Sequence, residues 1–142
     1  GHTQNLSLVL QNVRKSLRPG GTLIWLEDLL THPVTEDADV SALARDWSSP
    51  PLRDVSSIHS ELNKVDLQLV AESDLTSQVP YRSLAQIERS YSRADRWRRM
   101  APLPFARRVA QAFVGGFALE RLYARKIACY RLFVATAPLT QT

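Results

Sequence analysis

The chain has 142 residues, is 44% apolar and carries 18 basic against 14 acidic side chains, a formal charge of +4. That length supports one core of ordinary size and a single domain, and so mild a charge argues against a nucleic-acid partner. Cys129 is the lone cysteine, which excludes an intramolecular disulfide and the usual paired Cys and His spacings for a metal; with no long apolar run and no basic leader, a cytoplasmic protein without a membrane span is expected.

Leu6, Val9, Leu10, Val13 and Leu17 fall at the spacing of one helical face. Arg14, Lys15 and Arg18 lie on the other side or near the carboxyl end, where cations suit the helix dipole. Pro19, Gly20 and Gly21 are expected to stop this helix, with a left-handed glycine closing its last turn. "TLIWL", Thr22 to Leu26, is apolar and β-rich at nearly every position, which predicts a strand of the parallel-sheet type, buried on both faces and ended by Glu27 and Asp28. Helix, glycine turn and strand make half of a βαβ unit, so a preceding strand is expected upstream.

The polar, proline-bearing stretch up to "SSPPLRD" reads as an inserted cap. In it Thr35 opens a short helix that turns Val40, Leu43, Ala44 and Trp47 to one side. Ile58, Leu62 and Val65 predict a helix from near Ser56 or Ser57, and "LQLVAES" a second strand, Leu67 to Ser73. Ser83 and Gln86 form a capping box for a helix with Leu84, Ile87 and Tyr91 inward. Pro104 suits the first turn of the next helix, with Phe105, Val109, Phe113, Leu119 and Leu122 inward. Gly115 and Gly116 predict a bend or a close neighbour. "CYRLFVATA", Cys129 to Ala137, is a third strand ended by Pro138.

This α/β order resembles the carboxyl-terminal half of a class I S-adenosylmethionine-dependent methyltransferase. "LQNVRKSLRPGGTLIWLED" is similar to the family's helix and fifth strand, "LNKVDLQLVAESDLT" to the helix and sixth strand, and "CYRLFVATA" to the seventh, which is antiparallel. The nearest likeness is to the small-molecule and natural-product enzymes of the sterol and cyclopropane-synthase branch. The resemblance implies a partial Rossmann-like sheet of strands five to seven. It divides the chain into a helix and fifth strand over 3–28, a cap insertion over 29–55, a helix and sixth strand over 56–75, lid helices over 82–126 and a seventh strand over 128–137. Val65 and Asp66 depart from the Ala-Gly turn that many relatives place before the sixth strand.

In the family the cofactor is held by a glycine-rich loop after the first strand and an acid after the second. No Gly-x-Gly occurs here, so S-adenosylmethionine is expected to be bound mainly by a missing amino-terminal half, with no cofactor on this chain alone. "GH" at the start looks like the scar of a cleaved affinity tag, and a cleavage product or a piece of a larger protein is expected. An apolar strand edge left bare is an aggregation hazard. The complementary half, or a second copy, is therefore expected to pair along Thr22–Leu26.

Methyl transfer requires an oriented acceptor and often a base. His32, just past the fifth strand, is the candidate base, and Asp28 with Glu27 is placed to orient it or an acceptor hydroxyl. His59 begins a helix near the same crevice. Trp47, Tyr81 and Tyr91 lie in the cap and in the segment after the sixth strand, which in the family form the lid over the acceptor, and offer apolar contact to a small substrate. No residue is assigned to a metal or to direct cofactor binding. "ERSYSRADRWRRM" is a basic helix that suits either a solvated surface or an anionic partner: phosphates, an anionic lipid or an acidic carrier protein. Cys129 reads as a buried, inert thiol. Two functions follow: the acceptor-binding half of a methyltransferase acting on a small, largely apolar metabolite, or a non-catalytic docking domain of the same fold.

Overall fold

In the computed structural model, which describes residues 5–139, three strands form one sheet in the order β1-β3-β2. Helix α1 (Leu6–Ser16) leads into β1 (Thr22–Leu30); α2 (Ala38–Asp46) and α3 (Val55–Lys64) precede β2 (Gln68–Asp74). A short 3-10 turn, Thr76–Gln78, leads to α4 (Leu84–Met100), α5 (Pro104–Ala124) and β3 (Ala128–Thr136). β3 enters between the other two and runs antiparallel to both, from Thr22 opposite Thr136 to Leu30 opposite Ala128 on one side and from Gln68 opposite Thr136 to Asp74 opposite Arg131 on the other.

The turn between α1 and β1 differs from the expected helix cap. Leu17 ends the helix in an extended conformation, and the left-handed Gly20, φ 72°, comes three residues later. Gly21 N–H donates to Arg18 O at 2.8 Å, so Arg18-Pro19-Gly20-Gly21 has the arrangement of a type II turn, which needs proline second and glycine third. Gly20 N–H also donates to Ala137 O and Ala137 N–H to Gly21 O, at 3.1 and 2.9 Å. The turn is thereby tied to the end of β3.

β1 is longer than "TLIWL" suggests. Glu27 and Asp28 lie inside it, opposite Arg131 and Tyr130, rather than ending it. Two polar partners make this possible: Trp25 Nε1 donates to Glu27 at 2.9 Å, and the Tyr123 hydroxyl donates to Asp28. The strand is covered on both faces only at its carboxyl end, where Leu30 packs under the cap and α5; before that it is covered on one. Leu29, Phe133, Cys129 and Ala135 pack with Leu6 and Leu10 of α1 and Ile58 and Leu62 of α3, while Leu23 and Trp25 border that core. On the opposite face Ile24 is 65% exposed, Leu26 is exposed and their cross-strand neighbours Val134 and Leu132 are half-buried. The far edge of β1 has no strand partner among the described residues. Only at its carboxyl end is that edge met, by an isolated parallel bridge between Leu30 and Asp54 in which Leu30 N–H donates to Arg53 O at 2.8 Å. Within the described sheet β1 pairs antiparallel, and a parallel neighbour of the kind foreseen from the sequence would lie on the open stretch before that bridge.

The cap helix starts from Asp37 instead of Thr35, because the Asp37 carboxylate accepts from the Asp39 and Val40 N–H groups at 2.8 and 3.2 Å. Asp54 caps α3 in the same way through Ser57 N–H, at 3.0 Å. At the start of α4 the Gln86 side chain reaches back to Ser83 N–H, 3.1 Å, as the sequence predicts. α4 and α5 form an antiparallel hairpin over Ile87, Ala94, Val114 and Phe117. Their inward faces are offset from expectation: Phe105 and Phe113 are exposed, as is Leu84, whereas Ala110, Val114 and Ala118 are fully buried. Small residues let the two helices and α2 approach closely, and the large aromatics are displaced outward.

Replacing Gly20 by Val is expected to cost about 1–2 kcal/mol of stability, since a left-handed β-branched residue is strained. Its Cβ would also lie 3.1 Å from the Leu139 side chain. A lowered midpoint in urea unfolding checks this.

Candidate functional site

The carboxyl end of β1 and the amino end of β3 meet because the two strands are antiparallel, which sets Asp28 directly opposite Tyr130. Both residues border two cavities. One, of about 200 Å³, lies between β1, the cap and α5 and is lined mainly by Leu26, Leu43, Trp47, Leu52 and Leu119 beside Asp28 and Tyr130. The other, of about 400 Å³, lies under the segment after β2, with Leu75, Gln78, Val79 and Pro80. The first joins its apolar walls to two carboxylates, Glu27 and Asp28, and one phenol, the second to one carboxylate and one phenol, an arrangement that suits a small molecule with a large apolar part.

Asp28 is held from below by Tyr123, a buried residue of α5 whose hydroxyl donates to the carboxylate. Burial, and then the negative Asp28 carboxylate, push the Tyr123 phenol well above its ordinary range. Tyr123 in turn stacks on Tyr81, ring centroids 6.1 Å apart and planes 11° from parallel. The structure thus brings together Asp28 and Tyr81, through a tyrosine that sequence reasoning did not single out. Tyr130 stands near the start of the third strand, and its position opposite Asp28 becomes visible only from the strand register.

Trp47 seats the cap on α5. Its indole Nε1 donates to Ala112 O at 2.9 Å, and a Cβ added at Gly115 would lie 2.5 Å from Trp47 Cδ1. The glycine pair therefore admits a close neighbour, one of the two outcomes its sequence position predicts. Ion pairs fix the same contact: Arg121 Nε reaches Asp39 at 2.9 Å, and Arg125 reaches Asp39 and Asp37 at 2.9 and 2.7 Å. Burial alone would raise the Asp37 carboxyl, but Arg125 and the helix N–H groups hold it below the usual carboxylate range. Asp39 is 3% exposed, so an unpaired charge there would be costly, and the two arginines are required rather than decorative.

The other residues chosen from the sequence lie apart from this cluster. His32 is exposed on the loop after β1, 2.9 Å from Thr31 Oγ1, and borders neither cavity. His59 is on the opposite sheet face, where it meets Glu72 at 2.7 Å and sits edge-on to Phe133. Tyr91 is on α4 beneath the Arg121 guanidinium, 4.3 Å from its ring centroid, and faces a separate surface groove with Asp95 and Arg99. Cys129 is buried, and burial pushes its thiol up, which suits an inert side chain. Among the described residues no cluster of His, Cys, Asp and Glu is placed to hold a metal ion.

The glycines do not form a cofactor cradle. Gly20 and Gly21 are occupied by the turn onto β3, and the space above Gly115 is filled by Trp47. Asp28 and Glu27, the acids at the strand end, are engaged with Tyr123 and Trp25. The described residues do not by themselves fit S-adenosylmethionine.

Two measurements check this description. Gly115→Ala gains about 0.5–1 kcal/mol of helix propensity but meets an indole with no room to move freely, and overpacking typically costs about 1–3 kcal/mol. Net destabilisation with altered Trp47 fluorescence is expected. Tyr123 stays protonated in the native state while an unfolded tyrosine ionises near about pH 10, so native stability present below that pH is lost as pH rises above it. Tyr123→Phe should flatten that alkaline loss in a stability-versus-pH series, and lower stability at neutral pH by about 1–3 kcal/mol because Asp28 loses its donor.

Comparison with known proteins agrees with the geometry. No family model matches the chain, and no curated protein sequence matches it with significance. Solved structures do. A Galdieria sulphuraria protein assigned as a sarcosine dimethylglycine methyltransferase superposes with a TM-score of 0.65 at 6% identity, over 97% of this chain and 49% of that one. A geranyl diphosphate methyltransferase solved with GPP and sinefungin gives 0.63 at 16% identity, over 96% and 43%. A cyclopropane synthase from Mycobacterium tuberculosis gives 0.59 at 10% identity, over 96% and 50%. This chain spans about half the length of each. With its antiparallel three-stranded sheet and flanking helices, it carries the fold of the carboxyl-terminal half of the Rossmann-like S-adenosylmethionine-dependent methyltransferases.

Proposed function

We propose that the chain is the acceptor-binding half of an S-adenosylmethionine-dependent methyltransferase acting on a small, largely apolar metabolite. In this reading a cofactor-binding half docks along the open edge and bare face of β1. The observation that supports it is the half-covered sheet: Ile24 and Leu26 stand exposed beside an open strand edge, while the other face packs against α1 and α3. Burying one such side chain contributes about 1.5–3 kcal/mol, so a docked half gains several of these terms together with a ladder of backbone hydrogen bonds.

The same docking closes the cavity beside Asp28, since Leu26 belongs both to the bare face and to the cavity wall. Ligands of α/β sheets bind at the carboxyl ends of their parallel strands, where this cavity lies. Leu26, Leu43, Leu119 and Trp47 supply apolar contact, and Asp28, held by Tyr123, orients an acceptor hydroxyl or amine. Tyr81, stacked on Tyr123, directly follows Pro80 of the second cavity's wall, and His32 is the candidate base on the adjoining loop. S-adenosylmethionine, held by the other half, supplies the methyl group. The reading rests on Asp28, Trp47 and Tyr81, whose surroundings suit it, and not on His59 or Tyr91.

The test is titration of S-adenosylmethionine into this chain assembled with its cofactor-binding half, followed by methyl transfer to a panel of apolar acceptors. Binding with about micromolar affinity is expected, with Asp28→Asn lowering transfer about tenfold or more while leaving cofactor affinity unchanged. An assembled pair that binds no cofactor would sink the enzymatic reading and leave a docking domain. Ile24→Lys places a charge in the proposed interface and should abolish assembly. The chain alone stays folded in that variant, because Ile24 faces water in it.

A further inference from the structure

The α4–α5 hairpin carries a surface that methyl transfer does not use. Residues 89 to 113 contain seven arginines and one acid, Asp95. Asp95 is buried and already engaged by Arg98 and by Arg99, whose Nε lies 2.9 Å away. Arg107 is turned to the backbone, donating to Ala101 O at 2.7 Å. Arg93, Arg96 and Arg108 have no ion pair among the described residues and are exposed.

Between these cations stands an apolar tip. Met100 is 73% and Phe105 76% exposed, and Trp97 and Leu103 are exposed beside them. On α4, Arg93, Arg96, Trp97 and Met100 fall at i, i+3, i+4 and i+7, one outward stripe; on α5, Phe105 and Arg108 continue it across the turn. Pro102 and Pro104 stiffen that turn, and buried Ala101 anchors it. Four large apolar side chains are therefore exposed at the end of the helix pair, among guanidinium groups without an ion pair.

We infer that this tip docks the protein peripherally on an anionic lipid surface. Tryptophan, phenylalanine and leucine enter the boundary between headgroups and acyl chains to about 5–10 Å, while arginines bind the phosphates above it. Exposed apolar side chains at a helix-hairpin end suit a deformable surface. Nucleic acid offers no counterpart to Met100, Leu103 and Phe105, and a folded acidic protein would need a preformed pocket for each of them. Among the described residues no helix is long and apolar enough to cross a membrane, and the proposed contact is one of lying on the surface. The inference is independent of the proposed methyl transfer and rests on the hairpin alone.

Co-sedimentation tests it, using phosphatidylcholine vesicles with and without about 30% phosphatidylglycerol at low and high salt. Binding to the anionic vesicles only, weakened by salt, is expected. Charge reversal by Arg93→Glu with Arg96→Glu should lower vesicle affinity about tenfold or more. Reversal at Lys15 on α1 and Arg18 in the turn after it, which are also exposed, should change it less than about twofold. Phe105→Ser should lower it several-fold, and binding should shift the tryptophan emission to shorter wavelength only while Trp97 is present. Circular dichroism establishes that each variant is folded. Equal binding to neutral vesicles, no binding to anionic ones, equal losses from the two charge reversals, retention of binding in the Arg93 and Arg96 variant, or capture by an acidic protein with none by vesicles would each overturn the inference.

Discussion

The backbone ladder between β1 and β3 is the contact on which the remainder depends. Nine register pairs fix which side chains share a face, and they set Asp28 against Tyr130 at the end where the cavities open. Because α5 runs directly into β3, the same ladder brings Tyr123 beneath Asp28 and carries Arg121 and Arg125 to the cap acids. A slip of one residue would exchange the packed and bare faces of β1 and part the carboxylate from its phenol.

Energetically the molecule divides into a finished side and an unfinished one. α1 and α3 bury their apolar stripes against one sheet face, and the cap is held to α5 both by an indole seated on a glycine and by buried ion pairs. The opposite sheet face keeps apolar residues in water. That bare stretch is the ground for the proposed docking of a second half, with which the half-length match to methyltransferase folds is consistent.

Much of this was legible in the residues. The stripe Leu6, Leu10 and the Pro-Gly-Gly turn marked α1 and the start of β1, and the Ser83 and Gln86 pair marked α4. What periodicity could not supply was direction and partnership. "TLIWL" reads as doubly buried because its composition records the environment for which it is suited, whereas the structure covers one side of it. Glu27 and Asp28 looked like a strand end because acids are rare inside strands, and only their partners Trp25 and Tyr123, one of them distant in sequence, make them tolerable. Phe105 and Phe113 looked inward because aromatics usually are, and small Ala110 and Ala118 took that role instead. The candidate site was half legible for the same reason: Asp28 and Trp47 could be chosen locally, while Tyr123 and Tyr130 acquire meaning only from long-range register.

The turn tied to Ala137 has a kinetic side. β1 and β3 are about a hundred residues apart at their far ends, so the sheet closes only after nearly the whole chain has been gathered, and such non-local pairing is slow. The α4–α5 hairpin closes through a three-residue link and has no such handicap. Until its last strand arrives, β1 has two open edges instead of one, and the nascent protein is most vulnerable to self-association during that interval.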